Sequence, residues 1–210
     1  MDIKLKDKNN KDKWYTMPDK WDDLTLDKYM QVMVYLTDKD SEDMDHEKIV
    51  NLIHFMSDIP KDTLYRISFK DLSKLSELIS IFLKTKPDTE LKHIIEIDNV
   101  KYGFHPRLRD ISIGEFVDIE HCIKDGINEN LHTLLSVLYR PITHEIKDKY
   151  RIEDYEPSED RANLFKDKLM VRDFNGASVF FYDLGTQLLN TMRLSLEEMK
   201  MRESQESPQH

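Results

Sequence analysis

A chain of 210 residues is long enough for one domain with its own core, and its 5 Gly and single cysteine exclude collagen-like and disulfide-stapled proteins. Its 41 Asp and Glu outnumber its 31 Lys and Arg, and the formal net charge of −10 opposes direct binding of nucleic acid. No run approaches the roughly 18 apolar residues of a membrane span, and residues 1–8 lack the pattern of a signal peptide, so we expect a cytoplasmic protein that does not bind membranes.

The N-terminal region combines a charged segment with both tryptophans of the chain. Residues 1–13 are rich in Lys and Asp and poor in apolar side chains, which predicts a mobile charged arm. Trp14, Tyr15 and Trp21 follow, ahead of any periodic segment. Two interpretations are open: these rings pin the arm onto the core, or they form a partner-binding anchor. Pinning suits Trp21, which a helix entry follows directly, whereas anchoring suits Trp14, which adjoins the charged arm.

Apolar residues at helical spacing predict four helices between the tryptophans and Pro87. The first follows Thr25, an N-cap type of residue. A polar break at residues 38–45 separates it from the other three, whose predicted N-terminal signals are Asp45, Pro60 and Ser68. The last of the four ends before Pro87, because the residue preceding a proline disfavours helical geometry.

The apolar pattern changes to alternation near residues 92–105. Apolar and polar side chains alternate on both sides of Asp98-Asn99, a turn-forming pair, and this predicts a β-hairpin. An isolated hairpin is only marginally stable in water. We therefore expect it to pack on the helices or to extend another sheet, in this chain or in an oligomer.

Helical spacing returns after the hairpin. Ser112 and Glu115 stand at the spacing of a capping box, and the helix that they open is predicted to end at Gly126. The next helix is strongly apolar and is predicted to end at Arg140-Pro141. Residues 143–157 are charged and aromatic, which predicts a long ordered connection packed by its tyrosines.

Two further helices complete the predicted fold. Ser158 is a predicted N-cap, and the apolar segment that begins at Asp173 is predicted to be the central helix of the core. Small residues in this segment, among them Gly176, would allow another backbone to approach closely.

Together these elements predict a mainly α fold, with about eight helices around one core and a single β-hairpin near 92–105. The predicted domain covers residues 14–200, and the polar residues 201–210 are expected to fray.

Motifs of common enzymes are missing from the sequence. Phosphate-binding loops need clustered glycines, and the stretch around Ser178 lacks the second glycine of a nucleophile elbow. The acidic residues 38–45 lack the glycine and the final glutamate of a calcium loop. His121 and Cys122 are helix neighbours that point in different directions, so we expect a buried Cys122 beside a surface His121. We therefore predict a protein that is not an enzyme, with no catalytic, metal or cofactor-binding residues.

Four stretches occur in one order over most of the chain from 17 to 182: MPDKWDDLTLDKY at 17–29, the hairpin followed by SIGEFVD at 112–118, LYRPI at 138–142, and GASVFF at 176–181. In this order they resemble a loosely defined group of small proteins encoded among the virion and tail morphogenesis genes of tailed bacteriophages. The resemblance implies a non-enzymatic phage assembly or structural protein. It leaves tail assembly chaperone, baseplate component and head-to-tail adaptor open.

The predicted function is therefore phage morphogenesis through protein–protein binding, as a tail assembly chaperone or a tail or baseplate structural component. The alternatives are a head-to-tail connector or adaptor subunit, and an acidic regulator that binds a host protein. Other phage structural or assembly proteins are the expected partners, and a homo-oligomer stays open. Such a protein would be found in the host cytoplasm during assembly, with a final place in the virion left open. Trp14, Tyr15 and Trp21 are the candidate partner-binding residues.

Overall fold

Helices and antiparallel strands share the fold. The computed structural model describes residues 1–6, 11–37, 46–86, 89–147, 149–179 and 181. The strands are Asp2–Lys6 (β1), Asp12–Thr16 (β2), Ile94–Ile97 (β3), Val100–Phe104 (β4), Tyr139–Ile146 (β5) and Lys149–Ile152 (β6). The α-helices are Leu26–Thr37 (α1), His46–Met56 (α2), Lys61–Leu64 (α3), Phe69–Lys84 (α4), Ile113–Lys124 (α5), Ile127–Leu138 (α6) and Glu159–Lys168 (α7), and residues 171–179 are also helical.

The N-terminal residues form a hairpin, so the expectation of a mobile arm over residues 1–13 is wrong for the described part of that segment. β1 and β2 pair antiparallel, with Ile3 opposite Tyr15 and Leu5 opposite Lys13. Leu5 and Tyr15 are buried against the core. A short alternation of apolar and polar side chains is sufficient for these strands, because their inward side chains pack against the core.

The second sheet has four antiparallel strands in the order β3-β4-β5-β6. Its first two strands are the predicted hairpin, which is confirmed, and the turn residues Asp98 and Asn99 have the positive φ angles of a tight hairpin turn. The prediction of a mainly α fold with a single hairpin near 92–105 is wrong, because the described residues contain two sheets. The hairpin is stabilised within the chain by pairing with β5.

The segment predicted as a connection, residues 143–157, is largely strand. β5 follows α6 without a break. The helix ends shortly before Pro141, as predicted, but Pro141 then occupies a strand position opposite Tyr102. A register shift between Ile142 and His144 lets β5 bend, and β6 then lies beside β4 as well as β5. The bend brings β6 very close to β4, because a Cβ added at Gly103 of β4 would lie 2.4 Å from Cε2 of Tyr150 of β6.

Helix α1 contacts α2, α6 and α7, and α6 also contacts α5 and α7. An edge-to-face contact of Phe165 with Tyr102, at 5.0 Å between ring centroids, joins α7 to the sheet. The predicted N-caps Ser68 and Ser158 and the capping box of Ser112 and Glu115 are confirmed. Thr25 precedes α1 as expected. The signal at Asp45 lies outside the described residues.

The helix predicted from Asp173 is confirmed as far as residue 179, within a helical stretch that begins at residue 171, and Phe174 and Ala177 in it are fully buried. Its glycine has the expected purpose, because a Cβ on Gly176 would lie 2.4 Å from the carbonyl oxygen of Glu90. The rest of this segment and the expected frayed tail at 201–210 lie outside the described residues.

Candidate partner-binding surface

Trp14 lies on the outward face of the N-terminal hairpin. Its side chain is in β2, directly opposite Lys4 of β1, and the residue is 64% exposed. Lys4 in turn forms an ion pair with Asp12 at 2.7 Å on the same face. A large indole therefore stands among charged side chains on a strand, where it is accessible to another molecule.

The hairpin that carries Trp14 is fixed to the body of the protein. Met1 and Met17 exchange backbone hydrogen bonds of 2.8 and 2.9 Å, so the two strands are closed at that end. The backbone N–H of Thr16 donates to Oδ1 of Asp58, just beyond α2, at 2.8 Å. Trp14 is thus held by a backbone tied to the core, which reduces the conformational entropy that the hairpin would lose when a partner binds.

The other two candidate residues are buried. Tyr15 is 3% exposed and faces inward from β2, with its hydroxyl 3.5 Å from that of Thr63. Trp21 is 7% exposed, and its Nε1–H donates to the carbonyl oxygen of Thr85 at 3.0 Å. The structure therefore separates the three: Tyr15 and Trp21 belong to the core, and Trp14 is the one that a partner can reach.

A second apolar surface lies on α5, where Ile113, Phe116 and Val117 are all exposed. Their spacing places them on one side of the helix. They form a stripe near the N-terminal end of α5. Exposed apolar patches of this kind are common at protein–protein contacts.

A buried polar cluster links α5 to the four-stranded sheet. Oε2 of Glu115 accepts the backbone N–H of Ser112 at 2.6 Å, and Oε1 lies 2.7 Å from Nη2 of Arg140. Nε2 of His105 lies 3.5 Å from the same oxygen. Oε1 has no partner that meets hydrogen-bond criteria, so its contact with the Arg140 guanidinium acts as an ion pair. The Arg140 guanidinium also lies 5.7 Å from the centroid of the Tyr155 ring.

The cluster has a structural role, since it holds α5 against the four-stranded sheet. Glu115 contacts both Arg140 and His105, and the hydroxyl of Tyr155, which lies beside Arg140, donates to Asp118 of α5. The spacing of Ser112 and Glu115 predicts the capping role of Glu115, but the sequence has no signal for its contacts with Arg140 and His105. These residues meet only because β4 pairs with β5, with Gly103 opposite Arg140.

Burial of His105 should make stability depend on pH. Desolvation lowers its pKa below the usual 6.5, Glu115 opposes that shift, and Arg140 adds to it. Below about pH 6.5 the unfolded chain binds a proton that the folded state binds less readily, so folding becomes less favourable as the pH falls. We expect the melting temperature to drop from neutral pH to about pH 5, and the drop to be smaller in His105→Gln.

The matched control for this measurement is His121→Gln, since His121 is exposed on α5. It should keep the pH-dependent drop of the unaltered protein. If His105→Gln and His121→Gln lose the same amount of stability between the two pH values, burial of His105 is not the cause.

Cys122 is buried and His121 is exposed, as expected from the sequence. Burial is the largest cause that raises the pKa of the Cys122 thiol to about 11, so the thiol stays protonated at neutral pH and is a poor nucleophile.

Within the described residues, no group of three or more His, Cys, Asp and Glu could hold a metal ion. In that part of the chain no helix has both the length and the apolar character to cross a membrane. No family model, curated protein or solved structure matches the sequence.

Proposed function

We propose that the protein is a non-enzymatic morphogenesis protein of a tailed bacteriophage and that it acts by binding other virion or assembly proteins. The observation that carries the binding role is the exposure of Trp14 on a hairpin tied to the core. The phage assignment is supported by the order of the four sequence stretches along the chain.

Trp14 suits an interface for physical reasons. Tryptophan is enriched among residues that dominate binding energy, because its large ring gains most when a partner removes it from water. Its neighbours Lys4 and Asp12 provide a charged rim that can orient an incoming protein. β1 pairs only with β2 in the described part of the chain, so its other edge can add a strand from a partner.

The test is Trp14→Ala in a tagged protein purified from phage-infected cells. We expect loss of co-purifying phage structural proteins with an unchanged melting temperature, because an exposed ring contributes little to folding. Tyr65→Ala is the matched control, since Tyr65 is also exposed, at 62%, and lies near α3. Retained binding in Trp14→Ala, or co-purification of no phage structural protein by the unaltered chain, would contradict the proposal.

Mass spectrometry of purified virions separates the two forms of this function. A structural tail or baseplate component is present at stoichiometric copy number, whereas a tail assembly chaperone is absent from the virion but present in assembly intermediates. Detection among connector proteins at the head–tail junction would favour the adaptor role. Absence from virions and intermediates alike would favour a regulator of a host protein.

A further inference from the structure

A groove of about 920 Å³ lies at one side of the curled four-stranded sheet. Residues of both edge strands line it, Ile94 at the start of β3 and Lys149, Tyr150 and Arg151 in β6. His144 and Ile146 of β5 and the segment after β4 complete the walls. The groove exists because the bend in β5 brings β6 back toward the first strands of the sheet.

The groove is basic, although the chain as a whole has a net charge of −10. Its walls carry Arg107, Lys149 and Arg151 together with His93 and His144, and the described lining residues include no Asp or Glu. In the described part of the chain Arg107 has an ion pair with Asp110 at 3.0 Å, on the exposed surface, whereas Lys149 and Arg151 have none.

The strand register concentrates these charges. His144 lies opposite Arg151, and Ile146 lies opposite Lys149, so the four side chains project from one face of the β5–β6 hairpin. Lys149 and Arg151 are therefore neighbours on this face, where their like charges repel each other. A bound anionic group would remove that repulsion.

We propose that this groove binds an extended acidic polypeptide segment of a partner protein. Carboxylates of the segment would face Arg107, Lys149 and Arg151, and its alternate side chains would contact the apolar parts of the walls at Ile94 and Ile146. β3 and β6 each pair on one side only within the described residues, so either can offer backbone groups to an added strand.

A peptide fits the groove better than single-stranded nucleic acid does. Nucleic acid needs exposed aromatic faces on which bases stack. The Tyr150 ring is not free for this, because it covers Gly103 and its hydroxyl donates to the carbonyl oxygen of Phe104 at 2.7 Å. The net charge of −10 would also repel a long phosphate backbone outside the groove.

The test measures binding of the full chain to a fluorescent peptide in which glutamate alternates with alanine. The comparison probes are the same peptide with glutamine for glutamate and an oligothymidylate of similar length. We expect saturable binding of the acidic peptide alone, weakened by salt. In the double variant K149Q/R151Q the affinity should fall about tenfold, as two charge contacts are lost.

The matched control is K70Q/K84Q, which removes the same two positive charges from exposed positions of α4. This control should bind the acidic peptide as tightly as the unaltered protein does. Both double variants should have the melting temperature of the unaltered protein. Equal weakening in the two double variants would show attraction to overall charge and overturn the proposal. Tighter binding of the oligothymidylate, lost in K149Q/R151Q, would assign the groove to nucleic acid instead. Failure of the acidic peptide to bind overturns the proposal and leaves the role of Trp14 untouched.

Discussion

Replacing Trp21 by alanine should lower the free energy of unfolding by about 3–5 kcal/mol, the usual cost of deleting a buried aromatic ring. The ring lies between two helices that are distant in sequence. Its centroid is 4.7 Å from that of Phe82 in α4 and 5.8 Å from that of Tyr29 in α1. The cavity left by its removal would separate the C-terminal end of α4 from the rest of the core.

Two further variants identify the origin of this loss. Trp21→Phe keeps an aromatic ring but not the Nε1–H that donates to Thr85, so it should cost less than Trp21→Ala while still losing one hydrogen bond, about 1 kcal/mol, plus some packing. Trp14→Ala removes the same residue type from an exposed position and should change stability by no more than about 0.5 kcal/mol. Urea denaturation followed by circular dichroism gives all three values. Similar losses at Trp14 and Trp21 would contradict the burial argument.

Local signals in the sequence predicted the helices well. Ser68, Ser112 and Ser158 each accept a backbone N–H of the first turn, a contact within three residues that needs no knowledge of the rest of the fold. The β3–β4 hairpin was equally local, because Asp98 and Asn99 suit the positive φ angles of its turn.

The missed strands depend on contacts between distant residues. In β5 and β6 the apolar residues Ile142 and Ile152 are separated by mostly charged ones, and Lys147 takes the positive φ of the turn without a sequence signal for it. Pairing with β4, which is more than 30 residues earlier in the chain, decides that this segment is a strand. β1 was not predicted for a related reason: it has only two apolar residues, Ile3 and Leu5, and of these only Leu5 is buried.

The candidate sites also divide into features that local sequence predicts and features that depend on distant contacts. Exposure of Trp14 and burial of Trp21 agree with the preference drawn from their neighbours in sequence, yet the burial of Tyr15 required the register of the hairpin. The basic groove could not be predicted, because Arg107 and Lys149 are about 40 residues apart and meet through the curl of the sheet. Periodicity carries no information about such long-range proximity.

The ion pair between Glu115 and Arg140 should show strong energetic coupling. The two side chains are 3% and 5% exposed, so each charge has been taken out of water and depends on the other. Glu115→Gln keeps an acceptor for the backbone N–H of Ser112 but leaves the guanidinium without a counter-charge. Arg140→Met leaves the carboxylate without its main cation. Each single change should cost about 3–5 kcal/mol.

The double variant E115Q/R140M should cost clearly less than the sum of the two single changes, because no isolated buried charge remains in it. We expect a coupling energy of about 2 kcal/mol or more from urea denaturation of the four proteins. The control cycle uses Lys101 and Glu145, which pair at 2.8 Å between β4 and β5 with side chains 49% and 35% exposed. There Lys101→Met and Glu145→Gln should show clearly weaker coupling, since water screens the exposed pair. Equal coupling in the two cycles would mean that the Glu115–Arg140 contact does not gain its strength from burial, and that α5 is held to the sheet by apolar packing instead.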